Sequence, residues 1–143
     1  MAEASDPCVF CDIVGREESG RLVLATEQSL AFLPDVPAVP HHTLVIPRTH
    51  VRDVWELNGD GAANLARDVQ RVAEIVRDAV SPDGLNIIQS NGVAAGQSVF
   101  HLHVHVVPRF EGDRIPELWP EDYRWNPEDL DAMAAELRSA AAS

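Results

Sequence analysis

Three histidines, His101, His103 and His105, occupy alternate positions of the run His101-Leu102-His103-Val104-His105-Val106-Val107. On an extended strand, alternate side chains share a face. The spacing therefore lines up three imidazoles, with Leu102, Val104 and Val106 on the opposite side. A single histidine on an apolar face is most often a satisfied core residue. Three together need partners for all their ring nitrogens. Two chemistries suit such a row. The imidazoles can chelate a metal such as zinc. Alternatively, one neutral imidazole can attack phosphorus while its neighbours donate or hold protons near neutral pH.

Cys8-Val9-Phe10-Cys11 is the second group with chemistry in it. This spacing serves redox pairs, metal sites or two thiols packed in a core. A thioredoxin-like pair follows a strand, and no strand is read before Cys8, so redox is the weakest of the three. A metal site needs two further ligands, and the chain has histidines to spare.

Composition narrows the classes. The chain has 143 residues and a net charge of −12, and all 11 of its basic residues are arginine. With no lysine, it cannot carry a P-loop lysine, a pyridoxal phosphate Schiff base or a kinase strand lysine. The negative charge argues against a polymeric nucleic-acid partner, whose affinity rests on basic phosphate contacts. It leaves a single small nucleotide possible. Half of the excess charge falls in residues 111–143, read as a solvated acidic region. No apolar run is long enough to span a membrane, and no membrane partner is expected. The acidic start lacks the features of a signal peptide, so a cytoplasmic location is expected.

The elements that must position these residues can be read in outline. Short strands are predicted at Leu22–Ala25, Leu30–Leu33 and Thr43–Ile46, each bounded by breakers. Leu65, Val69, Val72, Val76 and Val80 predict an amphipathic helix from about Ala62 to Ala79. Leu85–Gln89 and His101–Val107 read as two more strands. Asn126-Pro127 then opens a short final helix with Leu130, Met133, Ala134 and Leu137 on its apolar stripe. The pattern is α+β, an antiparallel sheet of about five strands with one long helix and a C-terminal helix.

The context of the histidine run is more specific than the run itself. Asn91-Gly92-Val93-Ala94-Ala95-Gly96-Gln97-Ser98-Val99-Phe100 leads into it, and Pro108-Arg109 closes it. Upstream stand Pro40-His41-His42-Thr43-Leu44-Val45-Ile46-Pro47-Arg48-Thr49-His50 and the segment Cys8 to Ile13. Together these resemble the histidine triad (HIT) family of nucleotide hydrolases and transferases, in its zinc-containing bacterial branch. The resemblance covers roughly residues 8–110 and leaves 111–143 as an extension of a single domain spanning 1–143.

The resemblance implies a role for each residue. His103 is similar to the nucleophile that takes the nucleotidyl group as a covalent phosphohistidine. His105 is similar to the histidine that steadies the phosphate oxygens and assists the leaving group, and His42 to an upstream histidine facing the triad. Asn91, Gln97 and Ser98 match phosphate contacts. Phe10, Ile13, Phe32 and Leu33 fall where the family builds a cleft for the base. The acid that usually follows two residues after the phenylalanine is Pro34 here. Asp35 comes one residue late, where a small loop shift would let it hold the ribose. His41 replaces a small residue and is expected to be exposed. Cys8, Cys11, His50 and His101 match a closed structural zinc site. The expected protein is a homodimer that cleaves a phosphoramidate or phosphoanhydride bond of a small, purine-type nucleotide. Alternatives are a dinucleoside polyphosphate hydrolase, a nucleotidylyltransferase, a non-catalytic nucleotide module, or a metalloenzyme whose ligands are the triad itself.

Overall fold

A computed structural model of the chain describes residues 8–16, 21–113 and 125–142. Its first element, α1 (Val9–Gly15), is a short helix that the sequence reading did not anticipate. Cys8 caps it, its sulfur accepting the Cys11 N–H at 3.2 Å. Phe10, Ile13 and Val14 form the inner stripe of this helix.

Strands β1 (Leu22–Ala25) and β2 (Ser29–Phe32) form a hairpin. Thr26 builds the turn, its hydroxyl accepting the N–H groups of Gln28 and Ser29. Strand β3 (Thr43–Pro47) pairs with β2, placing Leu30 opposite Ile46 and Phe32 opposite Leu44. Strands β4 (Gly84–Ile88) and β5 (Val104–Arg109) complete a five-stranded antiparallel sheet in the order β1-β2-β3-β5-β4.

The long helix α2 (Gly59–Val80) starts a turn earlier than its apolar spacing predicts. Asn58 accounts for this, its side chain accepting the Gly61 N–H at 2.7 Å. The helix ends at Ser81 in a left-handed conformation, just before Pro82. The final helix α3 (Pro127–Ala142) packs on α2 and β1. Trp119 and Tyr123, in the segment before it, lie outside the described residues.

Strand alternation separates two cores. Ala31, Leu33, Val45, Val104 and Val106 face α2 and α3. Leu30, Phe32, Leu44 and Ile46 face α1. No helix among the described residues is long and apolar enough to cross a membrane.

The histidine strand differs from its sequence reading. Paired strand begins at Val104, so only His105 lies within it. β3 ends at Pro47, which has no N–H to continue the ladder. The incoming chain turns instead to the loop after β3, with Leu102 N–H donating to the Val51 carbonyl at 2.7 Å. At its other end β5 runs on to Arg109, because β4 continues alongside it.

Candidate active site and metal centre

His42, His103 and His105 come together on the α1 side of the sheet, tied by directional hydrogen bonds. His42 sits just before β3, and His105 faces Leu44 across the β3–β5 pair. The Ala38 N–H can only donate, so His42 Nδ1 accepts it at 2.9 Å. The proton of His42 is then on Nε2, which lies 3.0 Å from His105 Nδ1. That nitrogen accepts, so the His105 proton is on Nε2. His103 Nδ1 lies 2.8 Å from the His101 carbonyl, which can only accept. Nδ1 therefore carries the His103 proton, and Nε2 presents a lone pair. Each assignment follows from a partner whose role is fixed by its chemistry.

Electrostatics favour the neutral rings. Burial, reinforced by His103, pushes His42 down to about 4. Burial, then His42 and His103, pushes His105 down to about 3. His103 is also lowered by burial, opposed by its bond to the His101 carbonyl. Neutral imidazoles can act as nucleophile and as N–H donor.

Two cavities meet in front of these rings. The smaller, of about 200 Å³, is lined by His42, His103, His105, Ser90, Gly96 and Ser98. The larger, of about 550 Å³, is lined by Phe10, Ile13, Phe32 and Leu33 with Arg16 and Arg21 at its polar side. Pro34 and Leu44 belong to both. Phe10 also stands edge-on to His103, with ring centroids 5.1 Å apart. The space thus has a small head lined by the imidazoles and two serines, and a larger body in which Phe10, Ile13, Phe32 and Leu33 stand beside Arg16, Arg21, Asp35 and Asp131.

Other sequence-predicted residues are placed differently. Gln97 is buried, and its amide spans the loop below the histidines. It accepts the Gly92 N–H and donates to the Arg52 and Val99 carbonyls. Asn91 forms a reciprocal amide pair with Gln89 and accepts the Val54 N–H. Their side chains hold the loop, whereas Ser98 lines the cavity. Asp35 lies at the mouth of the larger cavity, its side chain 94% exposed and 3.0 Å from Arg21. Arg21 also binds Asp131 of α3 at 2.7 Å. The sequence reading missed Arg21 and Asp131, because their contact spans 110 residues. His41 corrects the expectation of exposure. It is largely covered, has a left-handed backbone, and stands 3.5 Å from Glu136.

A second cluster lies at the other end of the histidine run. Cys8, Cys11, His50 and His101 bring their ligand atoms within 4.8 Å of one another. His101 Nε2 donates to the Pro47 carbonyl at 2.8 Å, leaving Nδ1 turned to the two sulfurs at 3.4 and 3.5 Å. His50 Nδ1 is 3.2 Å from Cys11. A tetrahedron with metal–sulfur bonds of ~2.3 Å and metal–nitrogen bonds of ~2.0 Å has edges of roughly 3.3–3.8 Å. The three shortest spacings lie at or near that range, and the four atoms together, within 4.8 Å of one another, need only a small contraction to close on an ion. Without a cation, burial and the Cys8 thiol push Cys11 up to about 11, and a bound metal reverses that preference. The four residues are placed to bind a metal ion.

The α+β fold thus carries ordered imidazoles around a small pocket, with a two-cysteine, two-histidine cluster alongside. Residues 15–112 match the family model described as the HIT domain, and the chain belongs to that family of nucleotide-binding proteins. It is 34% identical over 133 residues to adenosine 5'-monophosphoramidase hnt1 of Schizosaccharomyces pombe, covering 92% of this chain and 96% of the relative. A hypothetical histidine triad nucleotide-binding protein from Sulfolobus tokodaii superposes with a TM-score of 0.83. The two are 36% identical, covering 94% of this chain and 92% of the other. A Zn-bound histidine triad family protein from Mycobacterium smegmatis gives a TM-score of 0.81 at 38% identity, covering 94% and 93%.

Proposed function

We propose that this protein is a nucleoside phosphoramidase-type hydrolase that works through a nucleotidyl intermediate on His103. The observation that carries the reading is the tautomer of His103. Its Nδ1–H is held by the His101 carbonyl, and Nε2 is left with a lone pair at the phosphate-sized cavity. In the first step His103 Nε2 attacks the phosphorus, a P–N bond forms, and the bond to the leaving amine breaks. The amine departs with the proton of His105 Nε2. In the second step water attacks the same phosphorus and gives a proton back to His105 Nε2, the P–N bond to His103 breaks, and the nucleotide is released. His42 holds His105 in its donor tautomer through their 3.0 Å contact.

The adjoining apolar cleft suits a flat base between Phe10, Ile13 and Phe32, with a purine filling it better than a pyrimidine. Asp35 and Arg21 lie at its mouth, 3.0 Å apart, which supports a role for them in holding the sugar hydroxyls. Ser98 contributes to phosphate binding, while Asn91 and Gln97 act through the loop they hold. Zinc is the metal that best suits two thiolates and two imidazoles in a closed set. It would be held by Cys8, Cys11, His50 and His101, and would anchor the His101 carbonyl that orients His103. Reduced thiols in this role suit the cytoplasm. β4 is an edge strand with Ile87 more than half exposed, which favours a homodimer joined along that edge.

The test is incubation with an adenosine 5'-phosphoramidate, followed by peptide mass spectrometry. Turnover is expected, with an adduct on His103 that is absent from His103→Asn. Neither turnover nor adduct would mark the protein as a non-catalytic nucleotide module.

A further inference from the structure

We propose that the cavity beneath the first turns of α2 is a second binding site, for a short aliphatic ammonium ion. The cavity measures about 280 Å³ and shares no described lining residue with the two cavities of the histidine site. It lies on the helix side of the sheet, between the start of β2, the loop after β3 and the N-terminal turns of α2.

A buried, unpartnered hydroxyl points to a ligand. Ser29 is 3% exposed, and its Oγ has no hydrogen-bond partner among the described residues. On β2 it shares a face with Ala31 and Leu33, toward α2, and so is directed at the cavity it lines. A buried hydroxyl left without a partner is costly. A ligand donor would relieve it.

Charge decides the class of that ligand. Glu56 and Asp60 both line the cavity, and no arginine among the described residues does. Glu56 accepts the backbone Arg52 N–H at 3.0 Å, and neither carboxylate is in an ion pair with a described residue. A helix N-terminus ordinarily attracts anions. Here Asn58 already occupies the Gly61 N–H and Asp60 stands in the first turn, so an anion meets net negative charge. A cation is favoured, and the volume is too large for a bare ion. Pro47, Val51, Leu57 and Leu65 add an apolar wall that suits a methylene stem. The ammonium group would donate to Ser29 Oγ and the two carboxylates.

The segment between this cavity and the histidine run is continuous with both. The Val51 carbonyl accepts the Leu102 N–H, and the Arg52 carbonyl accepts the Gln97 amide. A bound amine would therefore touch Val51, whose carbonyl is hydrogen-bonded to Leu102 between His101 and His103.

The experiment is an amide-shift titration of the full-length, zinc-supplemented protein with 1,4-diaminobutane at neutral pH and low salt, in the absence of nucleotide. Its outcome is thus independent of the hydrolase reading. Saturating shifts are expected at Ser29, Thr49, Glu56 and Gly61, with a smaller one at Leu102. Glu56→Gln and Asp60→Asn, both exposed and expected to fold normally, should each weaken binding about fivefold. Asp78→Asn, at the far end of α2, should match the unaltered protein. Three results would overturn the proposal: no saturation, shifts spread evenly over the acidic surface, or equal binding of 1,4-butanediol, which has the same stem without charge.

Discussion

Lowering the pH should destabilise this protein through two named histidines, and the size of the effect can be worked out. His42 is buried and His105 half-buried, and both are held neutral, with folded values of about 4 and about 3. Unfolded, each titrates at about 6.5. Below that value the unfolded chain binds protons that the folded chain refuses, so stability falls as the pH drops from about 6.5 toward about 4. Between pH 7 and pH 5 each histidine withdraws about 2 kcal/mol, or about 4 kcal/mol for the pair. That is a large part of a typical folding free energy. Acidic side chains and the metal ligands also respond to pH, so the decisive quantity is a difference. His42→Asn retains an acceptor for the Ala38 N–H and removes one titrating ring. Urea unfolding followed by circular dichroism at both pH values should show the variant losing about 2 kcal/mol less than the unaltered protein. Equal losses in the two proteins would refute the argument that burial holds His42 neutral.

Two further outcomes follow from the same geometry. Cys11→Ser should remove stoichiometric zinc from untagged protein by elemental analysis and lower the thermal midpoint, because three ligands no longer close the tetrahedron. An unchanged zinc content would place the metal elsewhere. His41→Gly should raise stability by about 0.5–1 kcal/mol in urea unfolding, since glycine adopts the left-handed backbone without a Cβ clash. The contact it gives up, with a half-exposed Glu136, is worth little. A loss of stability would mean that the His41–Glu136 contact outweighs the backbone term.

Local chemistry was legible wherever neighbours in sequence act together. Proline breakers and apolar alternation marked β1, β2, β3 and β4 to within about a residue, and the repeat of Leu65, Val69, Val72 and Val76 marked α2. The ends of elements were less legible, because capping decides them. Asn58 lengthened α2, and Pro47 shortened the paired part of the histidine strand. α1 was missed because seven residues give a weak periodic signal, and its cap is a cysteine sulfur. The glycine-rich loop was recognised, yet the use of Gln97 and Asn91 as internal braces depended on the Arg52 carbonyl and Val54 N–H, some 40 residues away.

By itself the sequence determined which side chains were available and how they were phased: three histidines on alternate positions, a cysteine pair, and no lysine to hold phosphate. The folded backbone decided what each ring nitrogen does, through long-range partners for His101 and His105 and a local one for His103. His101 became a candidate metal ligand because Pro47 takes its Nε2 proton and Cys8, 93 residues away, meets its Nδ1. His103 became a candidate nucleophile because a backbone carbonyl two residues back claims Nδ1. The reason is that imidazole has two nearly equivalent tautomers. Packing chooses between them by supplying a donor or an acceptor at one nitrogen, and no spacing rule along the chain contains that choice.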